Sequence, residues 1–357
     1  MIANILHAIP RRRGGTFGGI GQMGRSGFTR ASTLGPIADV VTATGGSIRR
    51  VFCRADLPLG LLNSPDTLVP LREHFRLLST ASRELQDELF SARLGRQVTL
   101  GNLGVYGKWV TQAACLHDAV HRADTSLPYM MQSATRLVLR LHGRQASWSY
   151  EIADTAVEGR QQNEMLALSY MIAVVRCYAG ADWAPDTVVV CGTPLQMIGP
   201  LEDMLRANVV FQDRPSAIVF DRTLLATMHS SLDVPRAGLS AEDLDRAFDL
   251  PDPDDLVASV SALIGLELLD QYPKLARIGQ RSGMTTRTLQ RQLQTLGVRF
   301  SDLVQDALQR RAFSLLRHTD QTVTEIAALL GYNDAAHFTR AFERWSGTSP
   351  SAWRPRK

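Results

Sequence analysis

Lys274–Leu296, KLARIGQRSGMTTRTLQRQLQTL, reads as a helix, a tight turn and a second helix. The first helix, Lys274–Arg281, is expected to turn Leu275, Ala276 and Ile278 inward, with Ala276 small enough to let another helix cross closely. Gly283 supplies a left-handed turn that a β-carbon would penalise. Thr285 or Thr286 is placed to cap the next helix. There Leu289, Leu293 and Leu296 recur at i, i+4 and i+7 as a core stripe, while Arg287, Gln290 and Arg291 share another face. Arginine pairs bidentately with guanine and glutamine with adenine, so that face suits the DNA major groove.

The pattern returns 48 residues on, from Gly283 to Gly331. Thr322–Leu330 predicts a helix with Val323, Ile326, Ala327 and Leu330 inward. Gly331 turns, Asn333 or Asp334 caps, and Phe338, Phe342 and Trp345 form the core stripe. Those aromatics are packing residues rather than a base-stacking platform, because their stripe must meet Ile326 and Leu330. Ala336, His337 and Arg340 lie on the other face. Between the units, Ser301 is expected to cap a helix reaching about Arg317, a rod able to hold two recognition helices about one DNA turn (~34 Å) apart. Arg310 and Arg311 on that rod suit phosphate contact or pairing with nearby acids.

Charge supports this reading. Residues 270–357 carry 14 Lys and Arg against 7 Asp and Glu, residues 1–35 carry 5 Arg and no acid, and the remainder is acidic. A basic block behind an acidic body points to a polyanionic partner. The 357 residues allow two or three domains. No run of apolar residues is long enough to span a membrane, and the charges of Arg11, Arg12 and Arg13 follow the apolar N-terminal stretch, the reverse of a secretory signal. The expected location is the cytoplasm.

Outward from the C-terminal block, Leu250–Asp255 breaks the chain and caps a helix to about Gln271, burying Leu256, Val260, Leu263 and Leu268. Ser240–Asp243 forms a capping box for a short helix within a linker at 233–253. Residues 36–232 predict an α/β sensor-type domain. Helices are expected over Leu68–Leu94, Gly104–Ala123 and Gln161–Tyr178. A hairpin is expected over Thr135–Leu141 and Ser147–Ile152, with further strands at Thr187–Val190, Asn208–Phe211 and Ala217–Phe220 and the helical turn Pro200–Arg206 between the first two of these. The fold class is α+β, a mainly antiparallel sheet with helices followed by an all-helical C-terminal domain.

Residues 1–35, rich in Gly and Arg, read as a disordered tail or an overextended start of translation. The GxGxxG run Gly19–Gly24 there has neither the preceding strand nor the following helix that a dinucleotide site needs. Cys53, Cys115, Cys177 and Cys191 have no CxxC pairing and read as small buried hydrophobes. His117 and His121 sit four apart on a helix, a spacing that suits zinc or haem, but no third ligand stands out. No cofactor or metal is expected. The chain is read as a regulator and not an enzyme. An alkyl-accepting repair cysteine would want a Pro-Cys-His-Arg context, which none of the four cysteines has.

The runs RSGMTTRTLQRQL and IAALLGYNDAAHFTRAFERWSGTSPSAWR closely resemble the AraC/XylS family of transcription regulators, over about residues 255–356. The domain is set at 254–357. The resemblance implies two helices in successive major grooves. It carries base contacts onto Arg287, Gln290, Arg291, Ala336, His337 and Arg340, with Ala336 offering only a methyl group. Residues 36–232 more weakly resemble the arabinose-binding-type effector or dimerisation domain of one branch of the family. That implies a homodimer, a small-molecule effector, and RNA polymerase as a further partner. A constitutive DNA binder with a purely dimerising body and a haem-based gas sensor are the alternatives.

Overall fold

The computed structural model describes residues 27–153, 158–229 and 239–354. The chain enters the fold at β1 (Phe28–Arg30), which pairs antiparallel with β2 (Leu68–Pro70) as a two-stranded ribbon. Helices α1 (Ile37–Ala43) and α2 (Ile48–Ala55) lie between these strands, and α3 (Leu71–Leu85), α4 (Phe90–Gly95), α5 (Gly104–Thr111) and α6 (Leu116–Met130) follow. The main sheet then begins with β3 (Thr135–His142) and β4 (Gln145–Ile152), a hairpin whose register joins His142 to Gln145 through a two-residue turn. After α7 (Arg160–Ala179) come β5 (Thr187–Cys191), α8 (Ile198–Leu205), β6 (Asn208–Gln212) and β7 (Ser216–Asp221).

The strand order is β3-β4-β7-β5-β6, antiparallel throughout except for the parallel pair β5–β6 that α8 connects. Side chains alternate across each strand, so Trp148, Tyr150 and Ile152 of β4 and Ile218 and Phe220 of β7 point into one core. Helix α7 packs against β5 and β7 on one side and α3 and α4 on another. It is accordingly apolar around most of its circumference, with Met165, Leu168, Met171, Ile172 and Val175 all buried.

The C-terminal part is helical. Ser240 and Asp243 form the expected capping box at α9 (Ala241–Ala247), and Asp255 caps α10 (Leu256–Glu267) by accepting from the Ala258 amide. Then come α11 (Leu275–Arg281), α12 (Thr286–Thr295), α13 (Phe300–His318), α14 (Val323–Leu329), α15 (Ala335–Ser346) and the short α16 (Pro350–Trp353). Leu256, Val260, Leu263 and Leu268 are buried as expected, in a second core with Ile278, Leu289, Ile326, Phe338 and Phe342.

Several expectations need correction. The Gly-rich run Gly19–Gly24 and the rest of 1–26 lie outside the described residues, but residues 28–34 are not tail. Thr29 and Arg30 are buried, and Phe28 joins the C-terminal core. Arg30 donates to the carbonyls of Met130 and Ala247 and pairs with Asp249, which a Gly- and Arg-rich composition does not reveal. The single helix expected over 68–94 is a strand and two helices, because Pro70 starts α3 and Gln86 ends it at φ 51°, in the left-handed region. The helix expected over 104–123 breaks after Thr111, where Cys115 bridges to Met228.

The cysteines are not buried as a group. Cys53 is exposed and the other three are intermediate. Helix α9, expected within a linker, puts Leu244 and Ala247 into the core of the N-terminal body.

A candidate DNA-binding surface

Two segments of the C-terminal domain close in the same way. In the first, the amide of Gly283 donates to the Gln280 carbonyl (3.1 Å) and that of Met284 to the Gly279 carbonyl (2.8 Å). In the second, 48 residues later, Gly331 donates to Ala328 (3.0 Å) and Tyr332 to Ala327 (2.9 Å). Gly283 and Gly331 have φ of 67° and 79°, a backbone region costly for any residue with a β-carbon.

The two turns then differ by one residue. Thr285 caps α12 by accepting from the Thr288 amide at 3.1 Å. Asp334, and not Asn333, caps α15 by accepting from the His337 amide at 2.6 Å. Thr286 is the first residue of α12 and does not cap it. The extra residue moves the repeat from 48 to 49 positions, so Leu289 and Leu293 match Phe338 and Phe342. All four are buried. Arg291 then matches Arg340, Arg287 matches Ala336, His337 matches Thr288, and Gln290 matches Thr339. A single spacing read from the two glycines misses this shift.

Arg287, Gln290 and Arg291 are exposed on α12, and Ala336, His337 and Arg340 are exposed on α15. Among the described residues no ion pair involves Arg287, Arg291 or Arg340. Each guanidinium is thus available to an outside acceptor. His337 lies edge-on to the Tyr332 ring, with centroids 5.5 Å apart. Phe313 of α13 packs at a tilt against Phe342 and Trp353, which fixes the second unit against the rod.

Three packing expectations differ from the structure. Ala276 is exposed, and Gly279 is the residue that lets the first pair of helices close. A β-carbon there would sit 2.9 Å from the Met284 carbonyl oxygen. Leu296 is 56% exposed, because α12 ends at Thr295. Ser301 does not cap α13, whose N-cap is Arg299. Arg310 is exposed on that rod, whereas Arg311 is half-buried, has no hydrogen-bond partner at Nε, and is pushed below the usual arginine range by burial.

Not all the basic residues face outward. Arg281 is buried between Glu73 of α3 and Glu267 of α10, and Arg277 pairs with Asp56 and Glu267. The Arg281 guanidinium also donates to the Asp56 carbonyl at 2.9 Å. Burial pushes the Glu73 carboxyl above its usual value, and Arg281 pulls it partly back. The first helix of the first unit is therefore tied to the N-terminal body by charge.

His117 and His121 are both exposed on α6, and no cluster of potential metal ligands occurs among the described residues. No helix among them is long and apolar enough to cross a membrane.

Residues 45–228 match the family described as the arabinose-binding domain of AraC transcription regulator, N-terminal. Residues 278–356 match a helix-turn-helix domain. The chain is 23% identical over 326 residues to the HTH-type transcriptional regulator VirS of Mycobacterium tuberculosis, covering 91% of this chain and 96% of that one. It is 36% identical over 83 residues to the ornithine utilization regulator of Pseudomonas aeruginosa, covering 23% of this chain and 24% of the relative. The crystal structure of the transcriptional regulator CdpR from Pseudomonas aeruginosa aligns with a TM-score of 0.36 at 20% identity, over 74% of this chain and 86% of that one. An arabinose-binding-type body followed by a helix-turn-helix domain places this chain in the AraC family of DNA-binding transcription regulators.

Proposed function

We propose that α12 and α15 enter successive major grooves of one duplex and read its bases. The observation that carries this reading is the repeated turn, which brings Arg291 and Arg340 to equivalent exposed positions on the two second helices. Arg287, Gln290 and Arg291 serve the first half of the site, and Ala336, His337 and Arg340 the second. Ala336 contributes a methyl contact and Arg340 the strongest hydrogen-bonding group of its set. Thr285, Thr286, Asn333 and Arg310 approach the phosphates; Arg311, half-buried, is the least available of the residues assigned there.

In this reading the N-terminal body is the regulatory part. It takes a small-molecule effector, pairs two copies of the chain, and works in the cytoplasm, where the DNA-bound form meets RNA polymerase. The effector acts by favouring one arrangement of body and DNA-binding domain over another. The ion pairs from Arg277 and Arg281 to Asp56 and Glu73 join the two parts in the present arrangement, so a change of arrangement would have to break them.

The test is binding of the full chain to sequences selected from a random DNA pool, repeated over a range of salt. Counterion release from phosphates makes affinity fall steeply and linearly in log–log form as salt rises. A flat response, or recovery of no preferred sequence, overturns the proposal.

A further inference from the structure

Between α3, α6, α7, β3 and β4 lies a cavity of about 70 Å³. Its walls include Leu127, Leu137, Met131, Leu166, Met171 and Val174, all buried. No Lys, Arg, Asp or Glu lines it, so it offers a charged ligand no counterion. Its polar wall residues are largely satisfied by one another. Gln132 donates to Thr135 and Tyr150, Asn163 donates to the Tyr150 hydroxyl at 2.9 Å, and Tyr106 donates to the Ala123 carbonyl at 3.1 Å.

Two buried wall residues keep an atom without a hydrogen-bond partner, Nδ1 of His74 and Nε1 of Trp148. Both side chains are 1% exposed. The character of each atom follows from its surroundings. Nε1–H of an indole only donates. Thr33 gives its hydroxyl proton to the Arg30 carbonyl at 2.7 Å and so accepts from His74 Nε2 at 3.1 Å. In that arrangement the histidine proton sits on Nε2, and Nδ1 is the acceptor. One atom needs an acceptor and the other a donor, and a hydroxyl group is both.

We propose that this cavity, lined by His74 and Trp148, is the effector site of the regulator and takes a small, uncharged alcohol. The proposal rests on the reading of the N-terminal body as a sensor. The present volume is about half that of a cavity known to hold benzene, so the ligand is small, or it reorients the pliable side chains of Met131 and Met171. The route to the DNA-binding domain is short. His74 is adjacent on α3 to Glu73, which pairs with Arg281 of α11, and Thr33 follows the ribbon whose Phe28 sits in the C-terminal core.

The experiment uses the full chain with methyl-labelled methionine and cyclopentanol as probe. Cyclopentylamine and cyclopentanecarboxylate serve as charged counterparts. The Met131 and Met171 resonances should shift saturably with the alcohol, and the charged pair should bind at least about tenfold more weakly. Ala167→Leu, which fills the cavity, should abolish the shift. His74→Leu, which keeps most of the volume but removes the acceptor, should weaken it; this second variant serves if the first does not fold. Saturating alcohol should also change affinity for the selected DNA about twofold or more.

The proposal is overturned if the alcohol gives no saturable shift up to its solubility, which would mark the cavity as holding water only. It is equally overturned if the charged counterparts bind as well, if both variants bind unchanged, or if bound alcohol leaves DNA affinity unaltered. A chain that binds its selected DNA yet no alcohol loses this site alone. A chain that binds no preferred DNA loses the regulator reading itself.

Discussion

Arg281 of α11 and Glu73 of α3 form an ion pair between the two domains, 208 positions apart in sequence, with side chains only 5% and 8% exposed. Glu267 of α10 faces the same guanidinium at 2.5 Å. Among the described residues Glu73 pairs with this cation alone, whereas Glu267 shares it with Arg277.

Removing that cation leaves Glu73 desolvated and unpaired, and leaves Glu267 with Arg277 and Gln271 alone. Arg281→Met should lower the stability of the full chain by about 3 kcal/mol or more. Adding Glu73→Gln to that variant should recover part of the loss, because one orphaned charge is gone. Chemical denaturation of the four-member cycle measures this, and strictly additive effects would mean that the two groups do not interact.

Gly279 and Ala276 separate the two explanations for the close helix crossing. A helical Gly→Ala change ordinarily gains up to about 1 kcal/mol. At Gly279 the new β-carbon meets the Met284 carbonyl oxygen at 2.9 Å, and the turn must open. Gly279→Ala should therefore destabilise the domain, by about 1–3 kcal/mol. Ala276→Ser, on the exposed side, should stay within about 0.5 kcal/mol. Thermal melts of the two variants check the order.

His74 gives the fold a pH dependence. Burial depresses its imidazole from the ordinary 6.5 to about 4, with Asn163 opposing only in part. The unfolded chain takes up the proton near pH 6.5 while the folded chain refuses it down to about pH 4. The stability that His74 contributes is thus intact above 6.5 and declines as pH falls toward 4, by about 3 kcal/mol over the window. His74→Leu should flatten that part of the curve. An identical pH profile in variant and wild type would show that His74 is not held neutral.

Much of the fold is legible in the sequence where a side-chain period acts alone. The hairpin Thr135–Ile152 alternates because one face of its strands is covered, and the turn glycines announce themselves because only they take positive φ without strain. What escapes is set by distant partners. Arg30 sits in a Gly- and Arg-rich segment, yet it is buried by carbonyls 100 and 217 positions away. Arg277 and Arg281 belong by composition to the basic block, but acids of another domain occupy them. The one-residue difference between the two turns is hidden for a related reason. Asn333 and Asp334 are both good caps, and the cap used, Asp334, is the one that accompanies burial of Phe338 and Phe342. The polar wall of the cavity has no sequence signal, since Thr33, His74 and Trp148 come from three separate elements.

Sequence reading by this domain depends on Arg291 and Arg340 as equivalent readers of one duplex. The most direct measurement compares the sequences selected from a random pool by the wild-type chain, by Arg291→Ala and by Arg340→Ala. Each variant should relax the preference at a single, different base pair, at a cost of about 1–3 kcal/mol there. The two positions should lie about one helical turn apart. Unchanged preferences in both variants, or loss of the same base pair in each, would contradict it.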